Sequence, residues 1–564
     1  MSLSAGYQGM YTWAASPISI QDRIGNSIEN QNSKLLNGNV DMVKLYNKLD
    51  YLKKLNTSKK GGTNSGPAPR LPGSAKDKLV EETPVENDTI AKKPDVNYFK
   101  LVADGVLKLA MSVKKGNLSY TQNNGIYLPG FLPEPDIFGI NLLNSSPGLG
   151  FVLGSEADIR SLAIQNGWLS KDSLLNQAYA KKLTETMSYK INLEPVVGLK
   201  IDFNGDRTSA SSFTEYFRAD STGAFKSFTP TTSGNFSMSY WLWKTAFVKP
   251  GDNESSSLFD NLLTNRKIVA NRLAYGNPKW VDEGERYTYD SLGGDFFPSG
   301  YRAMSQEVVM YSFIAAYSGK SAESMNLSPF PKIPFPNWTV NYNGLTKIPS
   351  VAKLFKTVNI THTYRSSYSI STWRTNVDYD PNNLTKTYKN SDFFISKFDI
   401  GMISITEQFS PLLGIDVGLQ NSLTARIEYK KQRNLTMSFI NNQLTEVNSA
   451  EFVIGTGYRI RNLSLVISSV TGGKSSKTTN DLVLKVDVGF RNDKTTLRRI
   501  AEENSQISAG QKKINIYVTA DYMLSSKFNL QAFFKRDMAD PYMSNQYKNS
   551  NTFAGITMRF NLAQ

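Results

Sequence analysis

The chain has 564 residues, with 64 Lys plus Arg against 49 Asp plus Glu for a net charge of +15, one histidine, no cysteine and 40% hydrophobic residues. There is material for a large core, yet no stretch approaches the roughly 18 to 20 apolar residues of a membrane-crossing helix; residues 310–317, the best candidate, are less than half that length. These figures exclude a helical membrane protein, a disulfide scaffold and any Cys/His metal cluster or Cys nucleophile, and the basic residues fall in scattered knots such as Lys53-Lys54, Lys92-Lys93 and Arg498-Arg499 rather than in the cluster a nucleic-acid surface needs.

Met1-Ser2-Leu3-Ser4-Ala5-Gly6 has neither the basic nor the apolar region of a secretory leader. Residues 6–14 are predicted as a strand that stops at Pro17, so 1–16 is taken as one sheet strand. Residues 17–95 are expected to be an insertion. In it Met42, Leu45, Leu49 and Leu52 share one helical face while Lys44, Lys48 and Lys54 lie elsewhere, predicting a short amphipathic helix. From Asn56 to Pro94 the chain is Lys, Gly, Ser, Pro and Glu, with too little apolar surface to offset its ordering entropy, and a disordered linker is expected.

Residues 96–255 alternate strand and loop signals. Extended segments are predicted at 106–113 and 117–121, and a strand pair at 187–193 and 196–203, bent at Glu194-Pro195 and closed by a turn at Asn204-Gly205-Asp206. Residues 256–350 read as a helix-containing insertion. Ser257 and Asp260 have capping-box spacing ahead of Phe259, Leu262, Val269 and Leu273, residues 306–316 are a second helix, and Pro329, Pro331, Pro334 and Pro336 force an irregular loop.

Residues 351–564 take up a period of two. Leu482, Leu484, Val486, Val488 and Phe490 alternate with Val483, Lys485, Asp487, Gly489 and Arg491; the same alternation runs through Ile514 to Tyr522, Phe528 to Phe534 and Ala554 to Leu562. Segments of about ten residues, apolar on one face and charged or small on the other, are what a lipid-facing barrel strand requires. The last strand carries Gly555, Met558 and Phe560, whose spacing resembles the assembly signal of outer-membrane barrels. The 28 Tyr, 30 Phe and 7 Trp suit an interfacial aromatic girdle.

No constellation for chemistry emerges. Gly148, Gly150 and Gly154, followed by Ser155 and Asp158 at capping-box spacing, superficially resemble a phosphate-cradling turn, but Asn144-Ser145-Ser146-Pro147 ahead of them is a loop where a dinucleotide site needs an apolar strand. His362 lies in a strand-like segment with no second imidazole. No catalytic, metal or cofactor-binding residues are assigned, and the protein is not expected to be an enzyme.

Several stretches resemble the SprA (Sov) family, the outer-membrane translocon of the type IX secretion system. They are Tyr46-Asn47-Lys48 with Tyr51-Leu52-Lys53-Lys54-Leu55-Asn56, Tyr127-Leu128-Pro129-Gly130-Phe131-Leu132-Pro133, Pro147-Gly148-Leu149-Gly150-Phe151, His362-Thr363-Tyr364-Arg365-Ser366, Pro411-Leu412-Leu413-Gly414-Ile415-Asp416, Gln443-Leu444-Thr445-Glu446-Val447-Asn448 and the ending Arg559-Phe560-Asn561-Leu562-Ala563-Gln564. Members of that family are several times longer, so the chain resembles a C-terminal fragment of one. The resemblance implies a wide barrel in the outer membrane that exports already folded cargo bearing a C-terminal signal domain. It also implies a PorV-like partner barrel, a plug protein, barrel-assembly machinery, and gliding motility dependent on exported adhesins.

The expected fold is therefore β, part of the wall of a large antiparallel transmembrane β-barrel, open or incompletely closed, with a few short helices in long loops. Two alternatives stand beside it. An outer-membrane porin or nutrient receptor shares the strand pattern. A soluble β-rich adhesin would pack its apolar faces between two sheets.

Overall fold

The computed structural model of the chain describes residues 1–57, 107, 111–280, 286–389, 391–467, 476–525 and 528–560. Alternating apolar and polar residues generate its strands: β1 (Ser2–Ala14), β2 (Asn26–Asp41), β3 (Val113–Phe131), β4 (Tyr179–Leu193), β5 (Leu199–Ala219), β6 (Phe225–Ser239), β7 (Tyr287–Asp290), β8 (Asp295–Pro298) and β9 (Asn337–Tyr342). They continue with β10 (Phe355–Thr375), β11 (Phe398–Ile400), β12 (Met402–Leu419), β13 (Leu423–Ser438), β14 (Gln443–Ile467), β15 (Ser476–Arg499), β16 (Asn504–Ser525), β17 (Phe528–Pro541) and β18 (Asn549–Phe560).

Sixteen strands make one antiparallel sheet: fourteen run in the order β1-β2-β3-β4-β5-β6-β10-β12-β13-β14-β15-β16-β17-β18, β11 pairs with β10, and β9 pairs with β5 and β10. Neighbours along the chain are neighbours in the sheet, and among the described residues β1 and β18 each pair on one side only. The position between β5 and β10 is shared by two strands. β6 pairs with one half of each, β9 with the other half, and residues 240–336 leave the sheet between them.

That excursion supplies a helical layer over one end of the sheet. Helix Ser257–Gly276 is capped by Ser256, whose hydroxyl accepts from the Phe259 N–H at 3.4 Å. Helix Gln306–Ser318 is buried from Val308 to Ser318 and ends at Gly319 in the left-handed region, φ +66°. It is apolar all round because it is sandwiched: Val309, Phe313 and Tyr317 join Leu262 and Val269 of the first helix and Met238, Tyr368, Ile405, Leu435 and Met437 of the sheet in one core. Each fully buried Val, Ile or Phe there contributes about 1.5–3 kcal/mol relative to exposure.

A second excursion, 132–178, covers the same end of β1 to β4. Phe151, Ala163, Trp168 and Leu169 pack on Ile28, Ile126, Leu128 and Tyr179. Asn30 donates to the carbonyls of Phe151 (3.1 Å) and Ser155 (2.7 Å), and Asn32 to that of Gly154 (2.7 Å). A side chain on Gly154, φ +90°, would meet Asn32 Cβ at 2.9 Å.

Four expectations are corrected. Residues 17–95 are not all insertion, since β2 pairs along its whole length with β1 and β3. The amphipathic helix is split into Met42–Tyr46 and Asp50–Thr57. Asn204-Gly205-Asp206 is mid-strand in β5, where Gly205 makes room for the Tyr189 ring, and the turn is at 194–198. The 256–350 insertion contains β9, a member of the main sheet. The linker beyond Thr57, most of the strand expected at 106–113 and the chain after Phe560 lie outside the described residues.

Candidate functional site: the two faces of the sheet

Residues in register on antiparallel strands share a face, so the pairings sort every strand into two sides. One side is polar across the sheet. A row of Ser237, Ser369, Ser404, Thr436 and Thr445 crosses from β6 to β14, and Asn37, Asn117, Lys190 and Asn204 occupy β2 to β5. Ion pairs run along it: Arg426 with Asp416 (3.7 Å) and Glu428 (2.5 Å), Lys430 with Glu451 (3.6 Å), Arg491 with Asp493 (2.8 Å) and Lys535 with Asp537 (2.8 Å). Two shallow depressions of about 460–470 Å³ on this side are lined chiefly by Ser, Thr, Asn, Asp, Lys and Gly.

The other side has two zones. Away from the helical layer it is apolar from strand to strand: Leu36, Leu118, Ile191, Phe203, Val340, Ile360, Ile415, Ile427, Ile454, Val488 and Ile516 lie on β2 to β16. Val518, Phe534 and Ala554 extend the band to the β18 edge. On β14 it runs from Phe452 to Ile460, ~26 Å along the strand at ~3.3 Å per residue. Among the described residues nothing packs over it: Ile427 and Ile454 are each 44% exposed and Phe490 45%. Among the described residues the only other sheet is the β7–β8 hairpin, within the 240–336 excursion. An uncovered apolar surface of this extent calls for a non-aqueous or protein partner.

Where the band meets the helical layer, aromatic rings collect from four separate segments. Trp241 lies 5.2 Å from Phe335 and 6.5 Å from Trp338; Trp338 stacks on Tyr364 at 4.3 Å; Tyr364 reaches Phe409 at 4.9 Å, and Phe247 lies 5.3 Å from Phe409. Tyr429, Phe452 and Phe490 carry the aromatic row onward across β13 to β15.

Beyond this row, under the helical layer, the same side carries buried charge tied to that layer. Arg433 pairs with Glu407, which also accepts from the Tyr364 hydroxyl (3.0 Å), and Arg433 donates to the Thr245 carbonyl (3.1 Å). Arg498 bonds Glu446 (2.9 Å) and the Glu254 carbonyl (2.7 Å), while Lys494 pairs with the Glu254 carboxylate (2.8 Å). In the layer itself Glu307 lines a cleft with Tyr301 and Tyr379, and burial pushes its carboxyl up to about 7. Burial also raises the Tyr301 hydroxyl to about 12.

The residues singled out in the sequence are not brought together. His362 sits in β10, its Nδ1 2.6 Å from the Leu412 carbonyl and its ring beside Trp338. The Gly148–Gly154 turn is wedged on β1 and β2, far from either charged row. Gly555, Met558 and Phe560 all lie on edge strand β18; Gly555 faces the polar side beneath the Phe533 ring, while Met558 and Phe560 are exposed on the apolar side. Among the described residues no cluster of His, Asp or Glu is arranged to hold a metal. Sequence reasoning missed the Trp241–Phe335–Trp338 belt; the one available signal was the density of aromatics flanking the proline run.

No protein-family model matches the chain, and no curated protein matches it significantly.

Proposed function

We propose that the chain forms part of the wall of a large outer-membrane β-barrel that exports folded proteins, as the resemblance to the SprA family implies. The observation that carries the reading is the division of one continuous sheet into an uncovered apolar band and an opposite face of hydroxyls, amides and paired charges. An outer-membrane barrel needs that division, with an apolar outer band about 25 Å tall, aromatic girdles and a polar interior. The aromatic belt at the boundary with the helical layer fits the headgroup level, where amphipathic rings concentrate.

Long links lie at both ends of the strands: 132–178 and 376–397 at one, and 42–112 at the other, beside the short β4–β5 and β12–β13 turns and the C-terminal end of β18. Among the described residues β1 and β18 each leave one edge unpaired; free N–H and C=O groups cannot face hydrocarbon, so in this reading other strands pair with them to complete the wall. The polar face spreads hydroxyls, amides and paired charges from β2 to β17 rather than converging them on one point, which suits passage of a protein surface better than recognition of a small nutrient.

The partners that accompany this function are a PorV-like barrel, a plug protein, secreted cargo and the assembly machinery. The test is genetic. Deleting the gene from the producing bacterium should strand proteins with the C-terminal signal domain in the periplasm and stop gliding, with the protein itself recovered in the outer-membrane fraction. Normal export in the deletion strain would overturn the assignment, as would recovery of the protein in the soluble fraction.

A further inference from the structure

At the junction of the helical layer and the aromatic belt lies a cleft of about 350 Å³, within the range of small-molecule pockets. Tyr240, Ile314, Met325 and Tyr368 form its buried floor, Phe330 and Phe335 line its sides, and Ile333 projects at its mouth, 77% exposed. Its outer wall, residues 329–336, is held open by hydrogen bonds rather than by regular structure. Tyr368 donates to the Pro329 carbonyl (3.2 Å), Arg207 to that of Pro331 (3.2 Å) and Tyr189 to that of Pro334 (3.0 Å). With prolines fixing the backbone between these anchors, the cavity is preformed.

Two cations stand at this apolar cleft. Lys320 Nζ lies 4.3 Å above the Tyr240 ring and 5.0 Å from that of Phe335, and donates to the Tyr240 hydroxyl at 2.6 Å. Lys332 lies beside it on the exposed wall. Neither forms an ion pair among the described residues. An ammonium held over aromatic faces with no carboxylate nearby is a receptor for an anionic group.

We propose that this cleft binds one acyl tail of an anionic, phosphate-bearing membrane lipid, with Lys320 and Lys332 on the headgroup phosphate. The inference rests on the membrane reading above, because what selects a lipid over a peptide is position. The cleft opens on the apolar side of the sheet, where Phe335 packs on Trp241 at the belt, so a lipid at headgroup depth meets it directly. A protein passing along the polar face does not.

The test is native mass spectrometry of the full chain purified in an uncharged detergent and offered equal amounts of phosphatidylglycerol and phosphatidylcholine. Phosphatidylglycerol adducts should predominate. The double change Lys320→Ala with Lys332→Ala should lower them about tenfold, the loss expected for charge-assisted hydrogen bonds. Lys320→Arg with Lys332→Arg should retain them, and Ile333→Asp should weaken both lipids. Equal adducts of the two lipids, or adducts unaffected by the lysine changes, would overturn the proposal. Carbonate-resistant association with phosphatidylcholine vesicles is measured in parallel: its failure defeats the membrane reading, whereas its success with no lipid preference defeats the cleft alone.

Discussion

Arg433 Nη2 and Glu407 Oε2 meet at 2.9 Å on neighbouring strands β13 and β12, with side chains only 5% and 2% exposed. They lie on the same side of the sheet as the uncovered band, yet under the helical layer, and the carbonyl and hydroxyl of Thr245 in that layer both accept from the arginine. The pair therefore fixes the layer to the sheet rather than stabilising the sheet alone. Arg433→Met leaves Glu407 buried without its cation and should destabilise the chain by about 3–5 kcal/mol. The double change Arg433→Met with Glu407→Leu should recover most of that loss. Chemical unfolding of the detergent-purified variants measures both; a double variant as unstable as the single one would show that the pair, not the stranded charge, matters.

Two adjacent residues of β15 test the division into faces. Val486 is central in the apolar band and Lys485 points to the polar side. Val486→Arg should cost about 2–4 kcal/mol, the penalty for arginine at a bilayer midplane, and should lower the amount of protein in the membrane fraction. Lys485→Glu should leave that amount unchanged. Equal effects at the two positions would contradict the assignment of the band to lipid.

Glu307 gives the helical layer a pH dependence. Its folded carboxyl titrates near 7 because burial disfavours the charged form, against about 4.5 for an exposed glutamate. The folded state thus holds a proton between about pH 4.5 and 7 that the unfolded chain has lost, so stability falls across that window and stays low above it. Glu307→Gln should be neutral near pH 4 and stabilising on the order of 2 kcal/mol at pH 8. Urea midpoints at the two pH values measure the difference; an equal midpoint shift at both would show that Glu307 does not carry the proton.

The strands from β12 onward were legible because apolar residues recur at alternate positions both under the helical layer, as at Ile403, Ile405, Leu435 and Met437, and in the uncovered band, while polar and charged residues occupy the other face. Strand β2 was not, for a physical reason. Beside the single apolar Ile28, its side chains under the 132–178 excursion are Asn30 and Asn32, which hold the covering loop by hydrogen bonds to its backbone where an apolar residue would hold it by burial. The stretch after Ile28 then reads as polar on both faces, and the segment looked like part of an insertion. Strand β9 was hidden by its six-residue length and its place directly after the proline run, since its pairing with β5 and β10 joins segments far apart in the chain. The two-faced surface was visible in outline from alternation. The aromatic belt and the lysine-rimmed cleft were not, because Tyr240, Lys320, Phe335 and Tyr368 meet only once the excursion has folded back on the sheet.

Strand β18 offers the sharpest separation of packing from assembly. Phe560 and Phe528 are paired in register with ring centroids 5.4 Å apart, on the apolar side at the end of the β4–β5 turn. Truncating either ring removes the same contact, so a purely structural role predicts equal losses from Phe560→Ala and Phe528→Ala. If Gly555, Met558 and Phe560 form the signal read by the assembly machinery, Phe560→Ala should lower the amount of protein in the outer membrane severalfold more than Phe528→Ala does. Export per assembled barrel should be unchanged in both. Quantifying membrane-inserted protein and secreted cargo in the same cells decides among the outcomes. Equal losses would reduce Phe560 to a packing residue, and normal membrane levels with blocked export would place β18 in the transport path.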